Sequence, residues 1–323
     1  MNKIWITWED QRRNREISSA LNVTLYEFPE IDRIANLIRK YMLGIWQTLK
    51  VLWREKPAVV FAQNPSIVLS FLVILLRCLF RYQVIIDAHN VGLFPAEGKS
   101  KFLNWISRYI QRKAHMTIVT NKALKTQVET NKGRAFVLPD KIPDFPSVPA
   151  QKLNGKENIL FICTYASDEP YQEVFRAAGQ LKEEVTVYVS GNYRKANIKS
   201  SDLPPNIVLT GYLSEKEYIS MLSAVDATID LTTRENCLVC GAYESIAMEK
   251  PMILSNTAAL KKFFQPGAVF ADNNSHSLYH AILQVLKNKE NLTQKIREMK
   301  YQKIAEWEAL KKNLLDLINI EVS

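Results

Sequence analysis

NIVLTGYLSEKEY over 206–218, AVDATIDLTT over 224–233, CGAYESIAMEKP over 240–251 and GAVF over 267–270 decide the fold of this chain. Apolar runs of strand length, Ile207–Thr210, Ala227–Leu231 and Pro251–Ser255, alternate here with helical patterns. That alternation belongs to a parallel sheet buried on both faces by helices. Gly211 fits a tight turn out of the first strand, because a residue without Cβ enters left-handed backbone at no steric cost. The loop Thr232–Val239 leaves a strand at its carboxyl end and opens a helix. Doubly wound sheets bind ligands at that position, where helix amides face an anion.

The same alternation extends in both directions. Upstream in the second half the expected strands are Asn158–Cys163 and Glu184–Ser190, and downstream Ala268–Phe270. In the first half they are Lys3–Thr7, Val23–Tyr26, Ala58–Ala62, Gln83–Asp87, Met116–Thr120 and Ala135–Leu138. Between the halves, Leu138–Pro149 holds four prolines in twelve residues, a composition that continues neither sheet. At 323 residues the chain exceeds what one core of ordinary size holds. The fold class expected is therefore α/β, with two Rossmann-like doubly wound domains. The domains are drawn as residues 1–146 and 147–305, with a C-terminal helix over 306–323 that returns to the first domain. Its apolar positions from Trp307 to Ile320 recur at helical spacing.

A hydrophobic fraction of 47% and a charged fraction of 23% suit a folded globular chain and argue against wholesale disorder. Four cysteines include one CxxC, Cys237 and Cys240, but no second pair stands at zinc spacing, and reduced thiols in a cytoplasm are expected. The charged run Glu9–Arg13 stands where a secretion signal needs its apolar core. Ile67–Leu76 is too short to span a bilayer and reads as a buried helix. Neither GxGxxG nor GxxxxGK[ST] occurs, which disfavours nicotinamide dehydrogenases and P-loop NTPases.

Charge is uneven. Residues 1–150 carry 22 Lys/Arg against 12 Asp/Glu, while residues 151–323 carry 20 against 21. A basic first half points either to an anionic partner or to a solvated basic surface. Ile31–Lys56 sets Arg33, Arg39, Lys40, Lys50 and Arg54 beside Trp46 and Trp53 at helical spacing, a pattern that suits peripheral contact with an anionic membrane and also an ordinary core-facing helix. No aromatic and basic module for nucleic acid is visible.

With these residues in view, the 206–270 stretch resembles the donor half of glycosyltransferase family four, retaining enzymes of the two-domain GT-B fold whose domains face a cleft. In that family a Glu-x7-Glu motif precedes Ala/Gly-Lys-Pro; its first Glu contacts the donor sugar and its second the ribose hydroxyls. Glu244, six residues before Lys250-Pro251, matches the second. The first is replaced: Asn236 stands eight positions before Glu244, and Glu235 one residue earlier, so either Glu235 or Asn236 takes the sugar contact. Gly211 and Tyr212 resemble the turn bordering the nucleobase, and Gly241 opens the motif helix. The loop Thr164–Glu169 is acidic where relatives often carry basic diphosphate contacts, and Arg194 and Lys195 are the replacement clamps.

In the first half, Arg12, Arg13 and Arg15 follow the first strand, where they either clamp phosphate or an acidic acceptor or begin an exposed charged helix. His89 ends a buried strand and resembles the family's histidine against the donor sugar. The resemblance implies transfer of a sugar from a nucleoside diphosphate, UDP- or GDP-linked, to a saccharide or polyprenyl-linked acceptor, with retention. It implies no cofactor and no metal, the leaving group being stabilised by helix amides and basic side chains. His89 and Glu235 are the expected catalytic residues, in polysaccharide or glycolipid assembly on the cytoplasmic side of the membrane. The rivals are a non-catalytic scaffold of the same fold and a sugar-nucleotide epimerase.

Overall fold

The structure is a computed structural model and describes residues 2–64, 66–181 and 184–322. The chain divides into two units, Met1–Lys141 with Glu306–Ser323, and Ile142–Ala305. All twelve expected strands form, six in each of two parallel sheets, which makes both units α/β.

In the first unit β1 (Lys3–Thr7), β2 (Thr24–Glu27), β3 (Val59–Asn64), β4 (Gln83–Ala88), β5 (Met116–Val119) and β6 (Ala135–Val137) lie in the order β2-β1-β3-β4-β5-β6. The chain moves one way from β1 to β2 and the other way from β3 onward, so right-handed crossovers put the connecting helices on opposite faces. One face is covered by α1 (Arg12–Ala20), whose Ile17 packs with Trp5, Phe61 and Ile118. The other face carries α2 (Leu37–Glu55), α3 (Ile67–Phe80), α4 (Lys101–Lys113) and α5 (Lys122–Thr130). Their Leu52, Val73, Ile110 and Val128 pack with Ile4, Val60 and Ile86. Successive side chains of one strand point to opposite faces, so Ile4 and Trp5 enter different cores.

In the second unit β7 (Glu157–Phe161), β8 (Val185–Ser190), β9 (Ile207–Gly211), β10 (Ala227–Asp230), β11 (Met252–Ser255) and β12 (Ala268–Ala271) lie in the order β12-β11-β10-β7-β8-β9. The connecting helices are α6 (Tyr171–Ala178), α7 (Glu215–Ala224), α8 (Cys240–Ala247), α9 (Ala258–Phe264) and α10 (Ser275–Lys287). Strand order reverses between β7 and β10, which opens a crevice at their carboxyl ends.

Three helical readings change. The basic helix does not run from Ile31: a short turn at Pro29–Asp32 is followed by α2, which begins at Leu37 because the Asn36 side chain accepts from the Arg39 amide at 3.0 Å and caps it. Arg33 lies outside it. The apolar helix α3 continues four residues beyond Leu76, to Phe80. The final helix is one piece, α11 (Lys289–Val322), of 34 residues, rather than a separate segment near Trp307. No Gly or Pro interrupts it. Its Ile296 and Met299 pack in the second unit's core with Phe264, and its Trp307, Leu314 and Ile318 in the first unit's core with Trp5.

Candidate functional site

A cleft of about 570 Å³ occupies the crevice of the second unit, lined from the carboxyl ends of β7, β8 and β10 and from the start of α8. Two glycines permit its shape. A Cβ on Gly241 would lie 2.5 Å from Asp230 Oδ2 and 2.6 Å from Ile162 Cδ1, so only glycine lets the helix start approach the sheet this closely. Gly191 holds φ at +90°, and a Cβ there would meet the Cys163 carbonyl at 2.1 Å.

Glu244 lines the cleft from the second turn of α8, and its Oε2 accepts the phenolic proton of Tyr218 on α7. That bond orients the carboxylate at the edge of the cleft. Lys250 serves a different purpose. Its Nζ donates to the carbonyls of Ser223 at 2.7 Å and Val225 at 2.9 Å, tying down the carboxyl end of α7, the helix whose first turn carries Tyr218. Burial lowers its pKa. Lys250 thus anchors the helix that carries Tyr218.

The acidic loop after β7 is held internally. Glu169 accepts from the Thr164 and Ala166 amides at 2.8 and 3.1 Å. Asp168 accepts from the Thr232 hydroxyl at 2.7 Å and pairs with Arg234 at 3.1 Å. Arg234, about a third exposed, thereby brings a guanidinium into the lining that no sequence motif had singled out. Asp230, at the end of β10, is the second lining residue missed. Burial pushes its carboxyl well above the ordinary value, the nearby Glu169 and Glu244 push it further, and the Gly241 amide opposes them.

Of the other expected site residues, Lys195 lines the cleft, and so does Tyr212, which is 87% exposed. Arg194 shares the exposed turn Tyr193–Ala196 with Lys195 without lining the cleft. Gly211 takes the left-handed turn, φ +71°, one residue before Tyr212. Glu235 does not line the cleft; its Oε1 accepts the Ala258 amide at 2.8 Å, at the first turn of α9. Asn236 is not among the lining residues either. His89 belongs to the first unit, after β4. Its Nε2 is buried with no hydrogen-bond partner, 3.6 Å from Asp87, and burial, outweighing Asp87, lowers its pKa, which favours the neutral ring.

The arginine cluster after β1 is not a free phosphate clamp. Arg13 is buried: its Nε and Nη2 donate to the two oxygens of Asp87 at 2.9 and 2.7 Å, and Nη1 donates to Asp140 at 2.6 Å. Burial opposes ionisation of Asp87, but Arg13 outweighs it and holds that carboxyl low. Arg15 pairs with Asp10 and, at 3.2 Å, with Glu27. Arg13 is thus a structural clamp of the first unit, while Arg15 makes its pairs at the surface.

Residues 147–303, nearly the whole second unit, match the family described as glycosyl transferases group 1. The fold is GT-B. Among solved structures the chain is similar to Anabaena HepE in complex with UDP-glucose, with 12% identity, 97% of this chain and 99% of that chain covered, and a TM-score of 0.74. It is also similar to sucrose-phosphate synthase from Thermosynechococcus elongatus (14% identity, 88% and 78% covered, TM-score 0.70) and to a glycosyltransferase from Rickettsia africae (13%, 100% and 99%, 0.64). Among curated proteins none matches. The neighbours show the fold, and the match to the group 1 family over the second unit supports glycosyl transfer as the activity.

Proposed function

We propose that the protein transfers a sugar from a nucleoside diphosphate, UDP- or GDP-linked, to a hydroxyl of a saccharide or polyprenyl-linked saccharide, with retention at the anomeric carbon and without metal or further cofactor. Family-four membership, a role in polysaccharide or glycolipid assembly and a cytoplasmic location belong to the same reading. The observation that carries it is Glu244 on α8, oriented by Tyr218 into a cleft at the topological switch point, inside the span matched to the group 1 family. That HepE was solved with UDP-glucose supports a nucleotide-sugar donor, UDP-linked in the first instance.

In this reading the Glu244 carboxylate accepts both ribose hydroxyls, and Tyr212 borders the base beyond the turn at Gly211. The diphosphate lies at the start of α8, near Gly241, where helix amides, Lys195 and Arg234 balance its charge, with Arg194 at the rim. Burial and the nearby carboxylates push the Asp230 carboxyl well above its ordinary value, which disfavours a negative charge beside it. His89 and Glu235 or Asn236 are assigned to the donor sugar on the resemblance to family four. Negative charge grows on the departing diphosphate as the glycosidic bond breaks, and donors fixed there before reaction lower the barrier most. The acceptor hydroxyl attacks from the face the leaving group vacates and passes its proton to the diphosphate oxygen, so no protein nucleophile is required. A screen of labelled nucleotide sugars with a polyprenyl-linked acceptor tests this: product carrying the donor's anomeric configuration is expected. A 2-epimer formed without acceptor, or no turnover despite nucleotide binding, would refute it.

A further inference from the structure

The outward side of the first unit's helical layer is not an ordinary solvated surface. α2, α3 and α4 lie side by side on one face of the sheet, joined by contacts of α3 with both neighbours, and their inner residues form a single core. Outward on α2, Ile38, Met42, Trp46 and Trp53 follow one stripe at helical spacing, Ile38 and Trp53 being 74% and 76% exposed. α3 adds Leu75 and Leu79, the latter 74% exposed. α4 adds Phe102 and Trp105, stacked with centroids 6.5 Å apart, and Trp105 stacks in turn on Tyr109, which meets Phe71 of α3. Monomeric proteins rarely expose so many large apolar side chains on adjoining helices.

The charges around them are of one sign. The three helices carry nine Lys/Arg against one acid, Glu55, which Arg54 already pairs at 2.8 Å. Lys50 lies 5.2 Å from the Trp46 ring, an ammonium held at the rim of an apolar patch. A second copy of the chain on this face would set nine cations against nine. Cationic side chains interleaved with exposed tryptophan, leucine and isoleucine match a bilayer interface, where headgroup phosphates meet acyl chains. The inner faces of these helices are fixed in the core, so they lie along the interface. Among the described residues no helix is long and apolar enough to cross a membrane.

We propose that the outer face of the α2–α3–α4 layer is a docking surface for an anionic lipid bilayer, with Trp46, Trp53, Phe102 and Trp105 entering the headgroup boundary and the flanking Lys/Arg binding lipid phosphates. This surface belongs wholly to the first unit, and the inference stands whether or not the second unit transfers sugars. Flotation of the full chain with phosphatidylcholine vesicles, with or without roughly one-third phosphatidylglycerol, tests it at about 0.1 M and about 0.5 M salt. The anionic vesicles should bind at least about tenfold more protein than the neutral ones, less so at high salt. The variant Trp46→Ala/Trp53→Ala/Phe102→Ala/Trp105→Ala changes only exposed side chains, and its fold is checked by far-UV circular dichroism. It should lose at least about tenfold in binding at low salt. Lys50→Glu/Arg108→Glu/Lys113→Glu should remove the preference for anionic lipid. The proposal is overturned if the wild type does not float with anionic vesicles or binds both vesicle types equally. It is overturned equally if the aromatic variant binds as well as the wild type, which would mean charge adsorption alone, or if sedimentation shows the face buried in a dimer that excludes lipid.

Discussion

Replacing Arg13 with alanine should destabilise the first unit far more than an ordinary surface arginine would. Arg13 forks onto both oxygens of Asp87, bonds Asp140 and donates to the Leu138 carbonyl at 3.0 Å, and Asp87 is 1% exposed. Removing one partner of a buried pair leaves a charge without compensation, at a cost of about 3–5 kcal/mol. Arg13→Lys keeps the charge but loses the planar fork and should fall between the two. All six tryptophans lie in the first unit, so tryptophan emission during urea unfolding of the full chain follows that unit separately. With a urea slope of about 2 kcal/mol per M, the midpoint should drop by roughly 1.5–2.5 M at pH 7. The pH dependence identifies the cause. In the wild type the low Asp87 pKa contributes stability that is present above the ordinary carboxyl value of 3.8 and is lost as pH falls through the lower folded value. In the variant the buried carboxyl must take up a proton on folding, so the gap between the two proteins should narrow as pH falls toward 4. A loss under about 1 kcal/mol at pH 7, or a gap unchanged by pH, would refute the account of Arg13 as a buried clamp.

Lys250→Ala should lower the second unit's calorimetric transition by about 1–2 kcal/mol, because the Ser223 and Val225 carbonyls lose their donor; an unchanged transition would show the brace to be unimportant. Gly241→Ala forces a methyl group against Asp230 and Ile162, so UDP affinity measured by calorimetry should fall by at least about tenfold, and near-native affinity would contradict the close approach. Asp230 has a raised folded pKa, so its stabilising contribution is full below the ordinary carboxyl range and is lost as pH rises toward the folded value, where ionisation also sets a charge beside the bound diphosphate. UDP affinity should therefore weaken as pH rises, and Asp230→Asn should flatten that dependence; a variant with the wild-type pH profile would exonerate the carboxyl.

The strands were legible because parallel strands buried on both faces read as apolar runs, and Val59–Asn64 and Val185–Ser190 are buried throughout. The loop that opens α8 was legible because Asp230 and Cys240 bracket a break between a strand pattern and a helix pattern. Partners were less so. Arg13 and Arg15 are two residues apart and chemically alike, yet one is buried against Asp87, 74 positions away, and the other faces solvent. Arg234 and Asp230 gave no motif, since their place in the lining follows from the strand order, which brings β10 beside β7. Lys250 belonged to a recognisable pair, but its bond to α7 depends on tertiary contact. The outer aromatic pair of α4, Phe102 and Trp105, carries no motif either, since its exposure depends on how the helix packs on the sheet.

The central claim is that the second unit's cleft holds a nucleoside diphosphate through Glu244. Calorimetric titration of UDP and GDP into the full chain, beside Glu244→Ala and Glu244→Gln variants, tests it most directly. Binding of at least one nucleotide is expected, with both variants weakened by roughly ten- to a hundredfold, as loss of one or two hydrogen bonds to a charged acceptor predicts. No nucleotide binding by the wild type, or equal binding by wild type and Glu244→Ala, would contradict it.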